Sequence, residues 1–310
     1  MMVDRKILSI VLTAHNCEAY LDKTLATLLS SLAGLNEGYE IILISDASVD
    51  RTAEILQQFA ERHAHHTRLF QVDFRNIGKV RNFGVQQCSG DYVTMVDGDD
   101  WLLAGALCDV VQFLAASQPE LLLTRLNEEH GDSDLDISWT GLQPQPLSQP
   151  QAIKKFLIHK DMQAHFIGQF VKRELLLAHP FPPFRCYEDA YLFPTILSHC
   201  QHIVFSRSSP YLYFKHGNSL SSRVDSEKVE LLVEATEEME RVFGYQYANL
   251  IACHWINIFQ RYGRNMDNTP SRQKVIKRIK EISSISFLLD PAIRLSFKKK
   301  YLKIKKWKIT

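Results

Sequence analysis

Several features that would assign this 310-residue chain to a familiar class are missing from it. Its six cysteines are scattered and form no Cys-x-x-Cys pair, which argues against a zinc site or a disulfide framework and favours reduced thiols. No apolar run approaches the roughly 18 to 20 residues that span a bilayer. The 36 Lys and Arg residues nearly balance the 35 Asp and Glu residues, which argues against a general nucleic-acid binder. Because no signal peptide precedes the first strand, we expect a protein of the cytoplasm or of a membrane surface.

Two common nucleotide-binding motifs are also absent. A Rossmann dehydrogenase carries a glycine-rich turn after its first strand, whereas residues 14–17 of this chain read AHNC. A P-loop requires GxxxxGK followed by Ser or Thr, but Gly78-Lys79 is followed by valine, and no glycine lies five residues earlier. What remains is a nucleotide site built from carboxylates and a metal ion.

The most informative segment is residues 93–101, VTMVDGDDW, in which an apolar run ends in Asp97, Asp99 and Asp100. A strand that leaves the core and ends in acids makes an oxygen-rich site at its carboxyl end. Mg²⁺ and Mn²⁺ prefer oxygen ligands, and they in turn bind diphosphates. A solvated acidic turn is the alternative that these nine residues alone leave open.

The first hundred residues alternate between strand and helix patterns. This alternation predicts a largely parallel, doubly wound sheet, in which ligands bind at the carboxyl ends of the strands. Asp46 and Asp97 both lie at such ends. The predicted strands are 7–13, 40–45, 68–72 and 92–96, and the predicted helices are 18–32, 52–62 and 79–87.

The rest of the chain is less regular. Residues 127–151 are polar, and we predict an excursion or boundary there, not a folded unit. The other predicted helices are 102–116, 152–159, 173–179, 188–199, 226–243, 246–262 and 272–283, and the other strands are 121–125, 203–206 and 211–214.

Four motifs in the first hundred residues carry a family resemblance: SIVLTAHNCEAYL at 9–21, ISDASVDRT at 44–52, NIGKVRNFG at 76–84 and GDYVTMVDGDDW at 90–101. With Glu188-Asp189 and His216, they resemble the inverting glycosyltransferases of family 2. The resemblance implies an α/β fold of the GT-A type, Rossmann-like, with a mostly parallel sheet flanked by helices and a helical C-terminal extension. Together with the patterns along the chain, it predicts a nucleotide-sugar-binding half at 1–125, an acceptor-side segment carrying the general base at 126–225, and a basic helical extension at 226–310.

The resemblance also assigns roles to individual residues. Asp189 falls at the position of the general base, with Glu188 beside it as a second catalytic candidate. Metal binding is expected of Asp99, Asp97 and His216, which would hold Mn²⁺ or Mg²⁺ against the diphosphate. Donor binding is expected of Thr13, His15, Asn16, Asp46, Asn76, Lys79, Arg81, Asp97, Gly98 and His216.

Each role has a simpler structural alternative. Asp46 could form an Asx-turn or a helix cap, and Arg81 could be a surface cation. The Glu188-Asp189 pair could be placed at a helix N-terminus for its favourable dipole interaction. Asp100 could support the metal site indirectly or cap the next helix.

The implied reaction is metal-assisted single displacement. One sugar would pass from a nucleotide sugar, a UDP-sugar, to a hydroxyl of a glycan or of a lipid-linked oligosaccharide. A sugar-phosphate nucleotidyltransferase is the enzymatic alternative, but it needs a glycine-rich, basic loop where residues 14–17 lie. A non-catalytic partner that keeps the fold is the third possibility, and the joint retention of Asp97, Asp99 and Asp189 counts against it.

The C-terminal tail has no acid after Asp290. Lysines, together with Arg294, alternate there with Leu, Ile and aromatic residues as far as Trp307 and Lys308. Such a mixture suits an anionic membrane surface, so we expect a peripheral protein on the inner face of the cytoplasmic membrane. A solvated, frayed terminus is the alternative.

Overall fold

The structure is a computed structural model that describes residues 5–130, 138–159, 162–215, 225–266 and 269–306. His216, Trp307 and Lys308 therefore lie outside the described residues. The strands are β1 (Leu8–Ala14), β2 (Tyr39–Asp46), β3 (Thr67–Val72), β4 (Tyr92–Asp97), β5 (Trp101–Leu102), β6 (Leu121–Thr124), β7 (Asn127–His130), β8 (Pro144–Leu147), β9 (Phe170–Lys172), β10 (Ile203–Ser206) and β11 (Tyr211–Lys215). The helices are α1 (Glu18–Ser31), α2 (Thr52–Arg62), α3 (Ile77–Gln87), α4 (Ala106–Ser117), α5 (Gln149–Leu157), α6 (Arg173–Ala178), α7 (Glu188–His199), α8 (Ser226–Phe243), α9 (Ala248–Tyr262), α10 (Pro270–Glu281), α11 (Ser284–Leu289) and α12 (Leu295–Lys306), with 3₁₀ turns at Tyr245–Tyr247 and Gly263–Met266.

The main sheet has eight strands in the order β3-β2-β1-β4-β9-β6-β10-β8. Every residue of β1 and β2 is buried, as expected for central parallel strands that are covered on both faces. Helix α1 covers one face with Leu21, Leu25 and Leu28 at helical spacing. Among these strands, β9 and β8 run antiparallel to their neighbours. The predicted fold class is therefore confirmed.

The carboxyl ends of β1, β2, β4 and β6 lie at one edge of this sheet, because these strands share one direction. Asp46, Asp97 and Thr124 are the last residues of β2, β4 and β6. A second sheet, in the order β5-β11-β7, continues from the same edge, since β5 follows β4 and β7 follows β6 along the chain.

Three sequence predictions need correction. In the segment 127–151, where we predicted an excursion or boundary, the described residues include two paired strands, since β7 pairs with β11 and β8 pairs with β10. The helix predicted at 102–116 begins at Ala106, because Trp101 and Leu102 pair with β11 instead. Strand β9 was not predicted at all. The three-part division stays a prediction, although β8, β9 and β10 belong to the same sheet as β1–β4.

The C-terminal tail is folded as far as it is described. Helix α12 buries Tyr301 and Ile304 completely, so a frayed terminus is wrong for Leu295–Lys306. Leu295 and Leu302, in contrast, are 74% and 47% exposed. Within the described ranges, no helix combines the length and the apolar character that crossing a membrane requires.

One buried carboxylate, that of Glu40, stabilises the edge of the main sheet opposite to the carboxyl ends of β1, β2 and β4. Glu40 accepts hydrogen bonds from Ser9 Oγ (2.6 Å) and Ser89 Oγ (2.8 Å), and it pairs with Lys6 and Arg68. Burial alone would raise the pKa of Glu40, but the hydrogen bonds from Ser9 and Ser89 outweigh it and lower the pKa to about 2. Glu40 is therefore a charged group that stabilises the fold.

Candidate active site

The acidic loop after β4 lies directly against β1. The Gly98 N–H donates to the Thr13 carbonyl at 2.9 Å, and Thr13 Oγ1 donates to Asp97 Oδ1 at 3.2 Å. A Cβ atom on Gly98 would lie 2.7 Å from Cys17 Sγ. The glycine between the two acids is thus required by packing, and Thr13 has a direct contact with Asp97.

Asp100 is completely buried and holds this loop to β11. Its carboxyl oxygens accept hydrogen bonds from the Tyr211 hydroxyl (2.6 Å) and from the Phe214 N–H (2.8 Å). The Tyr211 hydroxyl also accepts the Asp97 N–H at 3.0 Å. Burial, with the nearby Asp97 and Asp99, raises the pKa of Asp100 to about 9. Asp100 is not a helix cap, because Gly105 occupies the N-cap position of α4.

Arg81 joins the acidic loop to the predicted base. Its guanidinium donates to Glu188 Oε1 at 2.7 Å, to Asp189 Oδ1, and to Asp97 Oδ1 at 3.4 Å. The residue is only 3% exposed, so the surface-cation alternative is wrong. Asp97 and Asp189, which are 92 positions apart in the chain, therefore share one side chain as a hydrogen-bond partner.

Helix α3 positions Arg81 by binding the segment that precedes α7. Asn82 exchanges two hydrogen bonds with the Phe181 backbone, both 2.8 Å long. Asn76 donates to another carbonyl of this segment at 2.9 Å. A Cβ on Gly78 would lie 1.9 Å from the Pro182 carbonyl oxygen, so only glycine permits this approach. The NIGKVRN motif thus fixes the predicted base relative to the sheet.

The two acids at the start of α7 do not cap that helix with their side chains. Asp189 Oδ2 accepts the Phe166 N–H at 3.1 Å, while its other oxygen binds Arg81. Burial and the adjacent Asp189 raise the pKa of Glu188 to about 8, although Arg81 opposes this. Glu188 is buried, and the Asp189 side chain is 13% exposed, so Asp189 is the more accessible of the two.

The predicted nucleotide-binding residues meet where β1 and β2 end. Asp46 Oδ1 accepts the N–H groups of Phe74 (2.6 Å) and Arg75 (3.0 Å), and His15 Nδ1 lies 2.6 Å from the Asp46 carbonyl oxygen. Asn16 Oδ1 accepts a backbone N–H from the loop after β2 at 2.8 Å. Asp46 therefore binds the backbone of the loop after β3. This role is neither the Asx-turn nor the helix cap that the sequence left open.

The remaining predicted donor ligands lie at the start of α3. Asn76 is the N-cap residue, and its side chain accepts the Lys79 N–H at 3.0 Å. The Lys79 side chain is exposed. Asn76 thus has a structural role, and the described contacts do not bring Lys79 into the carboxylate cluster.

The carboxylates suit a divalent cation. Burial raises the pKa of Asp97, and the nearby Asp99 and Asp189 add to this rise, although Arg81 opposes it. Mutual repulsion of this kind is relieved by Mg²⁺ or Mn²⁺, which binds one or two carboxylates together with substrate phosphates and water. In the parts of the chain that are described, no three His, Cys, Asp or Glu residues form a ready-made metal site. The carboxylates of Asp97 and Asp99 supply oxygen ligands of the type that these ions prefer.

Two features of the site could not be read from the sequence. Tyr211 binds Asp97 and Asp100 because β11 belongs to a second sheet, and no local sequence pattern predicts that sheet. The contact between Arg81 and the Glu188-Asp189 pair depends on the packing of α3 against residues 181–184. The predicted ligand His216 lies outside the described residues, so the structure gives it no position.

Proteins of solved structure and proteins of known sequence are similar to this chain in fold or in sequence. Staphylococcus aureus TarS 1-349 in complex with UDP-GlcNAc superimposes with a TM-score of 0.70 and 17% identity, covering 97% of this chain and 90% of that one. The mannosyltransferase PcManGT from Pyrobaculum calidifontis, in complex with GDP-Man and Mn²⁺, gives a TM-score of 0.52 at 14% identity, covering 99% and 76%. The glycosyltransferase GlyA of Streptococcus pneumoniae is 25% identical over 246 residues, which are 77% of this chain but 34% of that protein. This chain thus spans about a third of the length of that relative.

An uncharacterized glycosyltransferase of Haemophilus influenzae is 25% identical over 206 residues, covering 66% of this chain and 77% of the relative. Residues 9–163, half of the chain, match the family described as Glycosyl transferase family 2. The protein therefore belongs to glycosyl transferase family 2 and has the GT-A fold.

Proposed function

We propose that the protein transfers one sugar, with inversion, from a UDP-sugar to a hydroxyl of a glycan or lipid-linked oligosaccharide. One observation supports this most directly: the Arg81 guanidinium binds both Asp97, at the end of β4, and Asp189, at the start of α7. A donor diphosphate at the acidic loop and an acceptor hydroxyl at Asp189 would then face each other across a short distance.

Asp189 acts as the general base in this proposal. A carboxylate offers about four lone-pair positions, so the bonds from Arg81 and the Phe166 N–H leave capacity for an acceptor hydroxyl. Taking the hydroxyl proton as the new bond forms makes the oxygen a competent nucleophile. Attack on the face opposite the nucleotide inverts the anomeric carbon, through a transition state of oxocarbenium character.

Asp99 and Asp97 would hold Mn²⁺ or Mg²⁺, which when bound offsets the charge that develops on the leaving nucleoside diphosphate. Arg81 fixes the positions of Asp97 and Asp189 relative to each other by binding both carboxylates. Asp46 and His15 lie at the nucleotide end of the site. The assignment of UDP is supported by the complex of TarS with UDP-GlcNAc, whereas the more distant PcManGT carries GDP-Man.

A panel of UDP- and GDP-sugars, with Mn²⁺, tests the proposal through binding and through slow donor hydrolysis. Asp99→Ala should lose Mn²⁺-dependent UDP binding. Asp189→Asn should keep UDP binding and lose transfer by roughly a hundredfold or more, since general-base catalysis contributes about 10²–10⁴. Asp22, exposed on α1, provides matched Asn and Ala controls that should behave as wild type. Transfer that survives in Asp189→Asn would place the base elsewhere.

The proposal also places the protein on the inner face of the cytoplasmic membrane, working on a surface glycan such as capsule, O-antigen or lipooligosaccharide. Three large apolar side chains on α11 and α12 are about three-quarters exposed: Ile285 (75%), Leu289 (75%) and Leu295 (74%). Lysines follow Leu295 along α12, and basic residues beside exposed leucines suit an anionic bilayer.

Vesicle flotation tests this placement. Binding should be strong with phosphatidylglycerol, weak with phosphatidylcholine, and reduced by salt, because the attraction is partly electrostatic. Leu295→Ser should weaken it, whereas Leu177→Ser, which removes an exposed leucine (45%) of α6, should not. Equal binding to both lipids would contradict the anionic-membrane proposal.

A further inference from the structure

Basic side chains from three segments gather where the end of α5 meets α9 and the start of α12. Arg294, which precedes α12, donates a hydrogen bond to the Ile158 carbonyl at 2.8 Å. The next residue after Ile158 is His159, whose imidazole centroid lies 5.0 Å from that of His254 on α9. Arg261 follows His254 by seven positions, so it lies on the same face of that helix. We call His159, Arg261 and Arg294 the basic cluster.

The members of the basic cluster lie close enough to act on one another. Desolvation lowers the pKa of His159, and the positive charges of Arg294 and Arg261 lower it further. Within the described ranges, no carboxylate contributes to this shift. His159 is therefore a neutral hydrogen-bonding group in a region of excess positive charge, and such a region attracts anions.

Both arginines of the cluster are exposed to solvent and keep N–H groups for a ligand. A guanidinium carries five N–H donors, and Arg294 uses only one of its nitrogens for the Ile158 carbonyl. Arg261 makes no hydrogen bond or ion pair within the part of the chain that the structure describes. Two guanidinium groups of this kind suit a phosphate, whose oxygens accept hydrogen bonds from them in pairs.

The acid that precedes the cluster in the chain, Asp290, is already engaged. Its Oδ1 accepts the Ala292 N–H at 2.8 Å, and its Oδ2 accepts the Asn249 side-chain amide at 2.9 Å. Lys300 adds a further cation beside α9, since its Nζ donates to Asn257 Oδ1 at 3.0 Å. Among the residues with described positions, the two arginines thus have no carboxylate partner, and an external anion would supply the countercharge.

The basic cluster borders the surface that we propose to face the membrane. Arg294 immediately precedes Leu295, whose side chain is 74% exposed. A phosphate held by Arg294 would leave the rest of its molecule beside this leucine. A phospholipid matches that arrangement, because its headgroup phosphate lies next to its acyl chains.

We infer that Arg261, Arg294 and His159 form a binding site for a phosphate group, and that this phosphate belongs to the headgroup of an anionic lipid. The two guanidinium groups would bind the phosphate oxygens, and the neutral imidazole would donate one further hydrogen bond. The inference rests on the proposed membrane placement for the lipid, whereas the binding of phosphate does not require a membrane. Free phosphate offers the same chemistry, so the experiment must separate the two sources.

Calorimetric titration of the full-length protein with soluble probes makes this separation. The probes are inorganic phosphate, dihexanoyl phosphatidylglycerol below the concentration at which it forms micelles, and dihexanoylglycerol, which has the same acyl chains without the phosphate. We expect the phosphatidylglycerol probe to bind about tenfold or more tightly than either of the others. Inorganic phosphate that binds as tightly as the lipid probe would overturn the lipid source. The whole inference is overturned if neither phosphate probe binds, or if dihexanoylglycerol binds as tightly as both.

Vesicle flotation of the wild-type protein, described above, reports on the membrane placement separately. Soluble probes need no bilayer, so the two failures can be told apart. If the soluble lipid binds but vesicles do not, the membrane placement is wrong and the phosphate site stands. If vesicles bind but the soluble phosphate probes do not, the phosphate site is wrong.

Substitutions test the arginines. Arg261→Gln should weaken binding of the phosphatidylglycerol probe about tenfold, and Arg261→Lys should weaken it less, because the charge remains. Arg261→Gln removes no contact made within the described structure, so it should melt like wild type and keeps the test decisive even if Arg294→Gln lowers the melting temperature. Arg62→Gln, at the exposed end of α2, removes the same charge from another surface and should change nothing. The inference is overturned if Arg261→Gln binds the probe like wild type, or if Arg62→Gln weakens binding equally.

Discussion

Replacing Arg81 with methionine tests the central contact of the site. The side chain is almost fully buried and binds three carboxylates, so its removal leaves Glu188, Asp189 and Asp97 without their shared positive charge. Breaking a buried ion pair by removing one partner costs about 3–5 kcal/mol. For a large domain this corresponds to a fall in melting temperature of roughly 5–10 °C.

Denaturant unfolding followed by tryptophan fluorescence measures the change, and Arg51→Met is the matched control. Arg51 also pairs with an acid, Glu54, but its side chain is 70% exposed, so we expect no measurable change there. The double variant Arg81→Met/Asp189→Asn should be less destabilised than the sum of the two single variants, because the second change removes one of the uncompensated charges.

Two results would refute this reasoning. If Arg81→Met unfolds at the same denaturant concentration as Arg51→Met, the ion cluster contributes nothing to stability. If the double variant is simply additive, Arg81 and Asp189 are not coupled. The contact proposed to align the two halves of the reaction would then have no energetic support.

Three further outcomes are expected. Tyr211→Phe should lower the free energy of unfolding by about 1–3 kcal/mol, because Asp100 loses a buried hydrogen-bond donor. It should also weaken Mn²⁺-dependent UDP binding. Unchanged binding would show that the acidic loop after β4 does not need this hydrogen bond. Gly78→Ala should strongly lower the melting temperature of the protein, since the added Cβ would lie 1.9 Å from the Pro182 carbonyl oxygen. A melting temperature equal to that of wild type would contradict this close approach. The pKa of Glu40 in the folded protein is about 2, below its ordinary 4.5. Glu40 therefore adds about 3 kcal/mol to the free energy of unfolding above pH 4.5, and this contribution is lost as the pH falls toward 2. Urea unfolding across this range should show a shallower pH dependence for Glu40→Gln, and parallel curves would disprove the assignment.

Local patterns were enough for the regular elements of this chain. Helices α2 and α7 begin and end where the sequence predicts, at Thr52–Arg62 and Glu188–His199, because apolar periodicity and polar boundary residues act within a few positions. The buried strands β1, β2 and β4 were visible for the same reason, as continuous apolar runs. The acids at the end of β4 could be placed at the binding edge, since parallel strands bring their carboxyl ends together.

Several short strands escaped prediction because their partners are remote in the chain. Strand β9 has three residues, and it exists only between β4 and β6. Strands β7 and β8 lie in a polar segment with no alternating pattern, and each is stabilised by pairing with a strand more than fifty positions away. No local propensity carries that information, which is why the strands at 127–130 and 144–147 were not predicted.

The sequence by itself determined the types of side chain available for chemistry: acids at the end of β4 and after it, an acid pair at the start of α7, and a basic motif in α3. Only the tertiary structure decided which of them meet. Arg81 reaches Asp189 because Gly78 and Asn82 hold residues 181–184 against α3. That contact depends on backbone groups brought together by chain folding, whereas a sequence pattern describes only neighbours along the chain.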